Sequence, residues 1–166
     1  MNVPQAWELT QGDSNVVVAV IDSGVDYTHS DLRENMWLNA LEELGEPGVD
    51  DDENGYVDDV YGWDFHNNRP NAMDDNRHGT HVAGTIAAAA DGHGTIGVAP
   101  KVRVMPLKFL SAAGGGSTLN AIRAIEYAVK NGAQVISNSW GGPYYSKFLE
   151  EAVSYTHLTL PTKASV

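Results

Sequence analysis

Residues Val16-Val17-Val18-Ala19-Val20-Ile21-Asp22-Ser23-Gly24 read as a strand followed by a sharp turn. The run is apolar without alternation and rich in β-branched side chains, the pattern of a parallel strand covered on both faces. It stops at Asp22, which puts that carboxylate at the carboxyl end of a buried strand, where open α/β sheets place their ligands. Val102 to Leu107 predicts a second buried strand and Gln134 to Asn138 a third. A helix is expected from His78 through Val82 and Ile86 to about Ala90. Another follows Ser117 as N-cap, with Ile122, Ile125 and Val129 on one face and Asn131-Gly132 as its stop. Tyr144 to Val153 predicts a further helix, and Pro4 to Thr10 a short lead-in. Strands alternating with helices imply an α/β fold, a doubly wound, mostly parallel sheet with helices on both faces.

At 166 residues, 42% hydrophobic and 19% charged, the chain can bury a core as one domain or a large piece of one. Its net charge of -12 argues against nucleic acid as a partner, because nothing here neutralises a run of phosphates. There is no cysteine, which excludes disulfides, thiolate metal sites and a cysteine nucleophile. No apolar run approaches the roughly 20 residues of a membrane span, and the start lacks the pattern of a secretory signal.

Much of the acid is local. Six carboxylates fall between Asp50 and Asp59. Asp50, Asp52, Asn54, Gly55, Tyr56 and Asp58 follow the opening of an oxygen-ligand calcium loop, with acids at alternate positions, a glycine at the turn and then a backbone carbonyl. The bidentate glutamate such a loop needs at its end is replaced by Tyr61, so Asp59 or a residue outside the loop has to complete the shell. The alternative is a solvated acidic turn.

The stretch Asp74-Asp75-Asn76-Arg77-His78-Gly79-Thr80-His81-Val82-Ala83-Gly84-Thr85 carries an acidic turn into a small-residue helix, with His78 at its start. With Val16–Gly24 before it and Val135-Ile136-Ser137-Asn138-Ser139-Trp140-Gly141-Gly142 after it, the chain resembles the subtilisin-like serine proteases, the subtilases, from about Gln5 to Val153. The resemblance implies an acyl-transfer enzyme in which Asp22 orients the imidazole and His78 is the general base. It implies a substrate-binding edge at Gly114, Gly115 and Gly116, faced across the first specificity pocket by Ser139, Trp140 and Gly141. An acidic insert like Asp50–Asp59 followed by Gly62-Trp63-Asp64-Phe65 recurs in bacterial members. The resemblance alone pairs Asp31 with Asp91 as ligands of a second calcium site. His29 and His81 are expected to be structural, His81 packed and hydrogen-bonded. Calcium is the implied cofactor, a protein or peptide the substrate, and a secreted, extracellular monomer the implied form.

Residues 1–153 thus read as the N-terminal portion of a subtilisin-like peptidase domain with a calcium-loop insert at about 45–66, the sheet incomplete at its C-terminal end. Residues 154–166 read as an anomalous tail, not native to the domain, whose polar residues and Pro161 fit neither a buried strand nor a continued helix. The family's Ala-Ala-Gly-Asn and Gly-Thr-Ser-Met motifs, which carry the oxyanion asparagine and the nucleophile, do not occur. The 166 residues are therefore expected to be inactive alone. Two rival readings are a non-catalytic calcium-binding or interaction module, and a metal-dependent hydrolase using His78, His81 and Asp22.

Overall fold

The computed structural model describes residues 2–143 and 145–159. Its elements are α1 (Val3–Trp7), β1 (Val17–Asp22), a 3-10 turn at Arg33–Asn35, α2 (Ala40–Leu44), β2 (Trp63–Asp64), α3 (His78–Ala87), β3 (Arg103–Lys108), α4 (Thr118–Lys130), β4 (Val135–Ser137) and α5 (Lys147–Thr159). The four strands lie in the order β2-β3-β1-β4. Every pairing is parallel, and β1 runs in register with β3 from Val17 opposite Arg103 to Asp22 opposite Lys108.

The unalternated apolar run of β1 is explained by what covers it. Val18 and Val20 pack with Ala83 and Ala87 of α3, together with Leu32 and Met36. Ala19 and Ile21 point the other way, into a cluster with Ala121, Ala124, Ile125 and Ala128 of α4. The alanines let both helices approach closely, and Ala19, Val20 and Ile21 have no exposed surface. The sheet is therefore wound on both faces, as the sequence implies. The chain reaches β2 and β3 on one side of β1 and then crosses to β4 on the other. This reversal creates a crevice at the carboxyl ends of β1 and its neighbours.

Several boundaries differ from those read in the sequence. β3 starts and ends one residue later than expected, which brings Lys108 into the ladder. Strand β2 was not expected, because two residues carry no periodicity. Gly62 makes it possible: its φ is +91°, and a Cβ there would lie 2.1 Å from the Pro106 carbonyl oxygen. Helix α3 ends at Ala87 because Ala88 turns to ψ 137°. Helix α4 starts as predicted, with Ser117 Oγ accepting the Asn120 amide at 3.1 Å. The last helix extends into the expected tail, where no continued helix was expected. α5 begins at Lys147, with expected position Tyr144 outside the described residues, and continues past Val153 to Thr159. Ser154 to Thr159 contain neither glycine nor proline, so nothing local stops the helix there. Residues 160–166 of the expected tail lie outside the described residues.

Candidate active site

Helix α3 starts against the end of β1, and a hydrogen bond spans the junction. His78 Nδ1 lies 2.8 Å from Asp22 Oδ1. The carboxylate is buried and the imidazole half-exposed, at 1% and 50%. Asp22 Oδ1 also accepts the Ser23 amide at 2.7 Å, while Oδ2 has no hydrogen-bond partner among the described residues. Gly79 is what permits the approach. A Cβ there would lie 2.0 Å from the Gly24 carbonyl oxygen and 3.1 Å from Asp22 Cβ.

Arg77, at the N-cap of α3, has φ +83° and no side-chain capping bond. A non-glycine residue pays about 1–2 kcal/mol for this left-handed conformation, and Asp74 holds it. Asp74 Oδ1 accepts the amides of Asn76 at 2.9 Å and Arg77 at 3.0 Å. Its Oδ2 accepts the Thr80 amide at 3.0 Å and hydroxyl at 2.6 Å. Burial pushes the Asp74 carboxyl up, but hydrogen bonds from Thr80, Asn76 and Ser23 outweigh it and hold its pKa below the usual value. Ser23 Oγ joins the two ends by donating to Asp74 Oδ1 at 2.8 Å and accepting the Gly79 amide at 3.0 Å.

The glycine segment expected at the substrate edge is exposed and takes part in a turn closed by the Ser111 amide donating to the Gly115 carbonyl at 2.8 Å. Asn76 Nδ2 donates to the Ala112 carbonyl at 2.7 Å, which ties this loop to the turn before His78. Trp140 lies at the end of β4 with its Nε1 donating to the Ile21 carbonyl at 2.8 Å. Its ring meets Phe109 edge-on, with centroids 4.7 Å apart. Ser139, Trp140 and Gly141 thus follow β4 on one side of Asp22, and Gly114–Gly116 follow β3 on the other. His81, expected to be packed, is exposed. The buried positions of α3 are Gly79, Ala83 and Ala87, four residues apart, and His81 lies off that stripe. His29 Nδ1 accepts the Asp31 amide at 3.2 Å.

The acidic insert folds differently from a simple alternation of ligands. Asp50 accepts the amides of Asn54 at 3.0 Å and Gly55 at 2.8 Å, and Asp58 accepts the Gly48 amide at 3.0 Å. These acids close the turn, and the Tyr56 amide closes it further by donating to Asn54 Oδ1 at 2.8 Å. Carboxylate oxygens that converge within 4.8 Å of one another belong to Glu42, Asp52 and Asp59. Of the loop acids Asp50, Asp52 and Asp58, only Asp52 contributes a carboxylate to that group, and Asp59 joins it as one of the two completions the sequence allows. Glu42 comes from α2, far outside the acidic run, and accepts the Asp51, Asp52 and Asp58 amides at 2.7, 3.2 and 2.8 Å. The Asn39 and Asn54 amides bridge Asp52 to Asp59 at 2.8–2.9 Å. The Asn39 amide presents a carbonyl oxygen instead after a half-turn, whereas the Tyr56 amide holds Asn54 Oδ1 in its present orientation. Burial pushes the Asp59 carboxyl up. The three carboxylates, with the Asn39 oxygen after that turn, offer an oxygen set that fits a hard divalent cation. At the second expected site, Asp31 Oδ2 accepts the Thr95 amide at 3.1 Å and Asp91 Oδ1 the His93 amide at 2.9 Å. Each acid braces the same loop.

Lys108 escaped the sequence reading. It is fully buried at the end of β3 and donates to the Ser23 carbonyl at 2.7 Å, Asp75 Oδ1 at 2.6 Å and the Leu110 carbonyl at 2.7 Å.

The sheet and its contents define an α/β protein with a buried carboxylate, an imidazole and two flanking loops gathered at the strand ends. The model of the Subtilase family matches residues 13–163, and the chain belongs to that family of subtilisin-like serine proteases. Subtilisin-like protease 1 of Plasmodium vivax is 42% identical over 139 residues, covering 83% of this chain and 22% of that protein. A thermophilic serine proteinase of Bacillus sp. strain AK1 is 38% identical over 151 residues, covering 90% of this chain and 32% of its own. Fervidolysin of Fervidobacterium pennivorans is 36% identical over 157 residues, 91% of this chain and 20% of its own. The chain spans 32% or less of the length of these relatives.

Proposed function

We propose that this chain supplies the acid and the base of a subtilisin-like serine endopeptidase that cleaves peptide bonds through an acyl-enzyme. The observation that carries the reading is the 2.8 Å contact between His78 Nδ1 and the buried Asp22 carboxylate. With Nδ1 committed to Asp22, the imidazole offers Nε2 to a serine hydroxyl. Asp22 holds the tautomer and steadies the imidazolium that forms when the serine's proton is taken. The same proton is then given to the leaving amine. Gly114–Gly116 bind an extended peptide through backbone hydrogen bonds, and Ser139–Gly141 line the pocket opposite. The serine and the oxyanion donor are absent from these 166 residues, which we expect not to hydrolyse peptides unaided. Calcium holds the insert through Glu42, Asp52 and Asp59 and is structural. The protein works outside the cell as a monomer. Among the described residues no helix is long and apolar enough to cross a membrane.

The test joins these residues to a Gly-Thr-Ser-Met segment taken from a subtilisin-like relative and treats the product with a serine-directed fluorophosphonate. Labelling of one serine, abolished in His78→Ala, is the expected result. Undiminished labelling in His78→Ala would remove the imidazole from the chemistry. The Glu42–Asp52–Asp59 cluster favours a second reading, a calcium-binding module without catalysis. That reading gains if calcium binds and no reactive serine is encoded.

A further inference from the structure

The buried ammonium of Lys108 has no place in the reaction just described, yet it stands directly opposite Asp22 in the β1–β3 ladder. A lysine ammonium has three protons to donate, and three acceptors surround it at 2.6–2.7 Å. Each acceptor belongs to a different part of the site. Ser23 follows the acid, Asp75 lies in the turn that delivers His78, and Leu110 opens the loop leading to Gly114. Removing an ammonium from water costs several kcal/mol, offset only while good partners stay in place. An apolar side chain of similar length would fill the volume without that cost, so packing alone does not explain a lysine here. The same segments are cross-linked twice more, by Ser23 Oγ between Asp74 and the Gly79 amide and by Asn76 Nδ2 on the Ala112 carbonyl.

We infer that Lys108 is a positioning residue for the Asp22–His78 pair, locking the end of β1, the start of α3 and the substrate-edge loop into one arrangement. It acts through Ser23, Asp75 and Leu110. The inference rests on the reading of Asp22 and His78 as acid and base.

The whole 166-residue chain, labelled with ¹⁵N-histidine, provides the test. The low-field signal of the His78 Nδ1 proton and its exchange with water are followed beside the α4 backbone amides and the urea midpoint. In the unaltered protein the proton is protected; an unprotected proton there overturns the Asp22–His78 pairing, and this inference with it. Lys108→Met keeps the length and removes the donors. It is expected to speed exchange of the His78 proton by ~10-fold, since three bonds across the site are lost together, while the amides of Ala121 to Ala128 keep their rates. Asp75→Ala removes one acceptor at a half-exposed position and is expected to act in the same direction, by ~3-fold. A lysine serving only the fold would raise exchange across α4 in step with a falling midpoint. That parallel rise in Lys108→Met, or an unchanged His78 proton in Asp75→Ala, overturns the inference. Should Lys108→Met not fold, Asp75→Ala decides.

Discussion

Asp74 stands outside the Asp22–His78 pair and yet gathers most of the bonds that start helix α3. Its carboxylate caps the helix from three residues upstream of the nominal N-cap, so Asp74→Ala is expected to cost about 1–2 kcal/mol, read from the urea midpoint. Its pH dependence follows from the lowered pKa. Folding favours the ionised form, so the stabilisation is present above the ordinary carboxylate value of 3.8 and is lost as pH falls through the lower folded value. Asp74→Asn should accordingly lose less stability than the parent as pH falls below the ordinary value of 3.8. Gly79→Ala tests the junction itself. A methyl 2.0 Å from the Gly24 carbonyl has to push α3 away from β1, at a cost of about 1–3 kcal/mol. The His78 Nδ1 signal should weaken with it. Asp22 and His78 were legible because a strand end and a helix start each leave a local pattern. Lys108 was not, because a lysine closing an apolar run looks like a solvated strand terminus, and only the folded sheet reveals three acceptors around it.

At the scale of elements, the acidic insert and helix α4 form one unit. Lys130 at the end of α4 donates to the Asn54 carbonyl at 2.7 Å, and the Tyr127 hydroxyl donates to Asp59. Burial, and after it Asp59, push the Tyr127 phenol far above its ordinary pKa, so it remains a donor. A cation held by Glu42, Asp52 and Asp59 would brace the same helix whose first turn follows Gly116. Calcium at about 100 times its dissociation constant should stabilise the fold by about 2.7 kcal/mol. Calorimetry with and without a chelator measures this, and Asp52→Ala and Glu42→Ala should each abolish the difference. Asp50→Ala should weaken the turn while leaving the calcium response largely intact. A response lost in Asp50→Ala and kept in Glu42→Ala would restore the simple loop reading. The spacing of acids pointed to an ion site within the run; in the fold backbone amides donate to Asp50 and Asp58, while the carboxylates of Asp52, Asp59 and Glu42 converge. Glu42 carries no signal of its own, being one of two adjacent acids in a five-residue helix.

For the whole molecule, the order of three motifs made the family and the doubly wound sheet readable, since each marks the carboxyl end of a strand or the start of the next helix. The two-residue β2 and the extent of α5 were not readable, because neither has a periodic pattern that stops where the element stops. Asp22→Asn in a product carrying the serine should lower kcat by about 10⁴-fold, the loss seen when the acid of a Ser–His–Asp triad is neutralised. A steady-state peptide assay checks it. The central claim is narrower and concerns one ring. The ¹⁵N chemical shifts of the His78 imidazole, at a pH where it is neutral, report which nitrogen carries the proton. The Asp22 bond predicts a proton on Nδ1 and a bare Nε2, the nitrogen that must accept from serine. A neutral ring protonated on Nε2 would contradict the account.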